Sequence, residues 1–192
     1  MKQTLIFAAL LLMSFGLEAQ TYQLDTSKSS IEWTGKKVAG KHNGHINFVS
    51  GSLTKQGKGF NTGSFLVDMK SITNEDLTDA ETNAQLVGHL KSDDFFGVEK
   101  FPTAQLVITK GTVIKGDQYE FIGNLTIKNK TEPVKFNATI SSSNKQHIFT
   151  GKITVDRSKF DVRYGSGSFF DNLGDNMIYD NFDLDFIAVF TE

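Results

Sequence analysis

The chain has 192 residues and a formal charge of −2, with 20 Lys and Arg against 22 Asp and Glu, so it lacks the basic excess of a nucleic-acid binder. It contains no cysteine, which excludes disulfides and a lipid anchor on an N-terminal thiol. Seventeen phenylalanines beside two prolines are the balance of a β protein with much aromatic surface to hide.

Residues 1–19 read as a secretory signal peptide. Lys2 gives a positive start, Leu5 to Met13 is an uncharged apolar run, and Ala19 precedes a plausible cleavage point before Gln20. The run is shorter than the roughly 20 residues a spanning helix needs, and no second such stretch follows. The expectation is a periplasmic or secreted protein with no integral membrane segment in the mature chain, residues 20–192 forming one domain.

Period-2 alternation dominates from there, and it is the primary sign of strands. Candidate strands cover about 30–38 and 45–55, then Phe65, Val67 and Met69 on one face. From Asn74 to Leu90 alternation stops, and Leu77, Ala80, Ala84, Leu86 or Val87, and Leu90 recur near helical spacing, predicting one or two short helices. Ser92 before Asp93 and Asp94 predicts a helical N-cap, Gly97 a stop, and Phe101-Pro102 an extended entry into a strand over 103–110. Alternation resumes in Tyr119, Phe121, Leu125 and Ile127, in Val134, Phe136, Ala138 and Ile140, over 147–156, and in Phe182, Leu184, Phe186, Ala188 and Phe190. Lys115 to Asp117, Lys128 to Thr131 and Ser141 to Lys145 read as turns of hairpin type, so neighbouring strands should be antiparallel. Eight or nine strands with one helical insertion fit either a closed up-and-down barrel or a two-sheet sandwich, and the meander connections favour the barrel.

Little of the sequence reads as catalytic. His42 and His45 should fall on opposite strand faces, which spoils chelation, and His147 beside a turn carries no signal. Two residues before and two after Ser166 stand Tyr164 and Ser168, where a nucleophile elbow needs glycines, so Gly165 to Ser168 reads as a turn or bulge, or as a weak anion nest. Asp171, Asp175 and Asp180 show no EF-hand spacing, and Asp183 and Asp185 read as the wet face of the last strand. Asp156 to Phe160 reads as a solvated turn or part of a rim. His89 is either a helix-end cap or a donor to an anionic head group at a binding mouth. No catalytic residue, metal or cofactor is expected, and the chain is not read as an enzyme.

The string from His89 through Lys91-Ser92, Phe95-Phe96 and Lys100-Phe101-Pro102-Thr103-Ala104 resembles the hallmark segment of the YceI-like family. The opening from Tyr22 to Trp33, the block from Gly123 to Val134 and the turn from Arg157 to Phe160 are similar to family blocks in the same order. Asn129 departs from the usual Gly, Lys36 to Gly44 is more polar, and Arg163 to Asp180 is longer than in a minimal member. The resemblance implies a lipocalin-like barrel of about eight strands, exported in bacteria, that binds a long-chain isoprenoid or similar amphiphilic lipid in an apolar lumen. It places the ligand against Trp33, Phe65, Val67, His89, Leu90, Phe95, Phe96, Phe121, Leu125, Phe136 and Phe186. The partners expected are that lipid, no nucleic acid, and as a possibility a second copy of the chain. The rival reading is a ligand-free structural or protein-interaction module of the cell envelope, its phenylalanines simply filling the barrel.

Overall fold

The structure, a computed structural model, describes residues 18–143 and 146–191. The proposed signal peptide therefore lies almost wholly outside the described residues. Nine strands follow in chain order: β1 (Ala19–Leu24), β2 (Ser30–Lys37), β3 (Gly40–Gln56), β4 (Gly59–Asp68), β5 (Thr103–Lys115), β6 (Gln118–Ile127), β7 (Lys130–Ser143), β8 (Gln146–Asp156) and β9 (Ile178–Thr191). One helix, α1 (Ala80–Lys91), interrupts the meander between β4 and β5.

From β2 to β9 each strand pairs antiparallel with the next, and β9 pairs back onto β2. The sheet is therefore closed, which decides for the barrel over the sandwich: a closed ring leaves no unpaired edge. The extra strand does not widen it. β1 pairs with the far end of β3 (Tyr22 opposite Leu53) and touches the end of β9, while β2 pairs with the near end of β3 (Ile31 opposite Ile46). β1 and β2 thus share one stave, broken by a 3-10 turn at Thr26–Lys28 that Asp25 caps by accepting from the Ser27 N–H. The result is an eight-stave antiparallel barrel with one short helix. Eight staves leave an interior that side chains can fill, or that can hold one slender ligand.

Which half is filled is set by the rings. At the end holding the β3–β4, β5–β6 and β7–β8 connections, Tyr22, Phe60, Tyr119 and His147 meet in edge-on or tilted pairs, with centroids 4.4 to 6.2 Å apart. Above them Phe121 lies 5.7 Å from Phe136 and 5.1 Å from Phe149. His147 belongs to this plug: it is buried, with Nδ1 2.7 Å from the Ser142 hydroxyl, so it is a core residue rather than an incidental one at a turn.

Local corrections follow from side chains the periodicity does not weigh. The helix starts only at Ala80, with Asp79 accepting from the Thr82 N–H, because Asn74 and Asp76 tie the preceding residues to β3. Ser92 ends this helix instead of starting another. Its N–H donates to the Gly88 and His89 carbonyls, and its hydroxyl to the His89 carbonyl. Ser141 to Ser143 continue β7, and residues 144–145 of that expected turn lie outside the described residues. At the β6–β7 hairpin Lys128 and Asn129 both take positive φ, 49° and 59°, a conformation that Asn tolerates where Gly is usual.

Candidate functional site

The other half of the barrel, beneath α1, is not filled. An apolar cavity of about 200 Å³ lies there, and almost no polar atom faces it. The inward phase of each stave supplies its wall: Trp33 from β2, Phe65 and Val67 from β4, Leu125 from β6, Phe186 from β9. The plug closes its floor, with Phe149 and Phe186 in edge contact at 4.9 Å.

The segment from Leu90 to Phe101 forms the cover. After α1 ends, the chain turns tightly: the Phe95 and Gly97 N–H groups donate to the Ser92 carbonyl at 3.1 and 2.8 Å. Gly97 takes φ +56°, where a side chain would be strained and would also crowd Asp93 and Phe101. The turn drops Leu90, Phe95 and Phe96 onto the cavity and buries Val98 behind them.

Two cations fasten this cover. Lys128, on the β6–β7 hairpin, donates to the carbonyls of Phe95 (2.9 Å) and Asp161 (3.1 Å), and its burial pushes its pKa down. Arg157 is only 3% exposed, so the turn it heads is not a solvated one. Its guanidinium lies under the Phe95 ring at 5.5 Å and donates to the carbonyls of Val162, Ile178 and Tyr179. Burial lowers its pKa, and Asp180, 3.5 Å away, opposes that. With its N–H groups turned to carbonyls, Arg157 borders the cavity as a clamp between strands and loop.

The mouth is set by the stretch after β4. Thr73 and Glu75 donate their N–H groups to the His45 and Asn43 carbonyls, both at 3.0 Å, extending the sheet along β3. The Thr73 carbonyl occupies the space a Gly44 side chain would take, and it accepts from the indole N–H of Trp33 at 3.0 Å. Any side chain at Gly44 would displace it and with it the acceptor that holds Trp33, the only tryptophan, at the cavity wall. His42 lies 2.8 Å from Asp76, and His45 lies 3.0 Å from Glu75. The two histidines serve as ties for this loop. Burial alone would raise the Asp76 carboxyl; the Asn43 N–H, His42 and Asn74 outweigh it and hold the pKa at about 2.

Eight of the eleven expected contact residues are thus gathered round the cavity: Trp33, Phe65, Val67, Leu90, Phe95, Phe96, Leu125 and Phe186. Three are not. Phe121 and Phe136 are in the plug, because alternation fixes which face a side chain takes but not how far along the barrel it lies. His89 stands behind the cover, edge-on to Tyr164 at 4.3 Å and Phe95 at 5.3 Å. Phe48, Leu106 and Leu184 also line the wall, while Met69 and Ile72 come from the stretch just after β4. Leu184 and Met69 already stood in alternating patterns, Leu184 with Phe182 and Phe186 and Met69 with Phe65 and Val67; Ile72 stands outside any such pattern, and only the fold brings it in.

Other sequence features resolve into structure. Ser166 is fully buried, its carbonyl accepting from the Phe169 and Phe170 N–H groups, which makes Gly165 to Ser168 a turn. Asp183 and Asp185 lie on the outer wall, where Lys152 pairs with Asp185 at 3.0 Å. Among the described residues no three His, Cys, Asp or Glu side chains gather where they could hold a metal ion. Nor, among those residues, is any helix long and apolar enough to cross a membrane.

The YceI-like domain model matches residues 22–190. The chain belongs to the YceI-like family. Burkholderia cenocepacia BcnA superposes with a TM-score of 0.70 at 25% identity over 86% of this chain and 98% of its own. A polyisoprenoid-binding domain from Saccharophagus degradans gives a TM-score of 0.60 at 13% identity, over 88% of this chain and 97% of its own. The Campylobacter jejuni YceI protein gives 0.55 at 16% identity, over 99% and 93%. The last two show the shared fold. A UPF0312 protein of Photorhabdus laumondii is 34% identical over 70 residues, a match spanning 36% of each chain. The YceI-like barrel here has the architecture of a hydrophobic-ligand binder, filled at one end and hollow at the other.

Proposed function

We propose that this protein is an exported binder or carrier of a long-chain isoprenoid or similar amphiphilic lipid, acting in the periplasm or outside the cell. The observation that carries the reading is the cavity wall: aromatic and aliphatic side chains with almost no polar atom among them. A polar or charged head group buried there would lose its water and find no partner, at a cost of several kcal/mol. A hydrocarbon tail loses nothing on entry. The cargo therefore enters tail first and leaves its head at the mouth, near Lys36, Lys37 and His42. Each isoprene unit offers roughly 3–4 kcal/mol gross at about 0.8 kcal/mol per carbon, so the tail sets affinity. The Saccharophagus degradans neighbour is a polyisoprenoid-binding domain, which agrees with this reading; the cavity is what supports it here.

Trp33 fluorescence tests the proposal, since this single tryptophan lines the site. Isoprenoid alcohols of increasing length should bind roughly tenfold or more tighter per added unit until the cavity is full, allowing for the costs of ordering the chain. Exchanging the hydroxyl for a carboxylate or phosphate should change affinity less than one isoprene unit does. If the head exchange dominates and length has no effect, the tail-burial mechanism is wrong.

A further inference from the structure

Among the described residues, every exposed large aromatic side chain lies at one place. Tyr164, Phe169, Phe170 and Tyr179 are between 40% and 50% exposed, whereas the exposed large aliphatic residues are Val or Ile, mostly spread over the barrel wall. Backbone hydrogen bonds hold the segments bearing these rings side by side with the tip of the β2–β3 hairpin. The Val38 N–H donates to the Met177 carbonyl at 3.1 Å, that of Ile178 to Gly165 at 2.8 Å, and those of Phe169 and Phe170 to Ser166. Val38 is itself exposed, so the rings and the hairpin tip form one apolar lip. The lip is continuous with the cavity, because Lys37, Ile178 and Tyr179 belong to both.

The charges on the lip have a pattern. Lys36 is held by Asp183 at 3.4 Å and Arg163 pairs with Asp161, but Lys37 and Lys41 make no ion pair among the described residues. Asp171 and Asp175, exposed in the loop, offset those two lysines. Adhesion must therefore come from the rings, with the hairpin lysines steering towards negative charge. Aromatic rings beside lysines are the composition of surfaces that sit at the boundary between water and lipid.

We propose that this lip docks on a lipid bilayer containing anionic phospholipid, seating the cavity mouth on the membrane so that a tail passes between bilayer and barrel without crossing water. The proposal rests on the reading of the cavity as a lipid site. The long stretch from Arg163 to Asp180 is then the part that meets the membrane.

Cosedimentation of the processed protein with phosphatidylethanolamine–phosphatidylglycerol vesicles tests it, beside farnesol binding followed in solution by Trp33 fluorescence. Phe169 and Phe170 do not line the cavity, so the Phe169→Ser/Phe170→Ser variant should bind farnesol as the wild type does. Its partition onto vesicles should fall roughly tenfold or more, from losing two inserted rings. Lys41→Glu should weaken partition onto phosphatidylglycerol vesicles and leave farnesol binding unchanged. Val38→Asp should show the same vesicle defect, and it decides the matter if the double variant does not fold. Vesicle loss with no farnesol binding even in the wild type would support docking while removing the lipid-carrier reading. A wild-type protein that stays in the supernatant, or folded lip variants that pellet as it does, would overturn the docking proposal.

Discussion

Leu106→Asp should fold but bind an isoprenoid-tailed amphiphile roughly a hundredfold or more weaker than the wild type, because a charge facing hydrocarbon costs several kcal/mol. Leu106 sits in β5 on the cavity wall, half-buried and lining the hollow part of the barrel. In the free protein an aspartate there can be hydrated through the mouth, so folding survives, as a thermal melt would show. When a tail enters, that water must leave and the carboxylate has no partner, since the wall offers almost no polar atom. His89→Ala is the contrasting variant. His89 lies behind Phe95 and does not line the cavity, so its loss should change binding by only a few-fold through loosened packing of the cover. Equal losses in the two folded variants would refute a wall that acts through its apolarity.

Phe121→Ala has the opposite signature: a large loss of stability with little change in binding. Phe121 is fully buried, stacked on Tyr119 at 5.5 Å and on Phe136 at 5.7 Å, and edge-on to Phe149 at 5.1 Å. Truncating such a ring costs about 3–5 kcal/mol, because the neighbours close only partly over the gap. For a domain of this size the melting temperature should fall by roughly 6–20 °C, and ligand affinity measured well below the melt should stay within a few-fold. A Phe121→Ala protein that melts normally but no longer binds would mean that the plug is part of the lumen.

The fold was legible because alternation is a property of the chain itself. Phe182 to Phe190, Val134 to Ile140 and Tyr119 to Ile127 all lie in strands with the expected phase facing in. Closure of the ring was not legible from alternation, since a sandwich buries the same faces; it needs the β9–β2 pairing, which joins residues far apart in sequence. The candidate site was legible in the same measure. Period gives the inward face and so found Phe65, Val67, Leu125 and Phe186, but height along the barrel comes from strand tilt and register, which put Phe121 and Phe136 in the plug. The cover illustrates a second limit. Ser92 has the residue type of an N-cap, yet α1 reaches it from the N-terminal side and uses it as a C-cap. Arg157 shows a third: a cation in a polar turn reads as solvated or as part of a rim until the fold supplies the three carbonyls that hold it inside.

Native mass spectrometry of the protein purified without detergent from its own host tests the central claim most directly. The account predicts a species heavier than the bare chain by one hydrocarbon-tailed lipid, whose mass disappears after organic extraction and is regained when an isoprenoid alcohol is added back. A protein that carries the bare-chain mass throughout, and gains neither mass nor thermal stability with any isoprenoid or fatty tail, would contradict it.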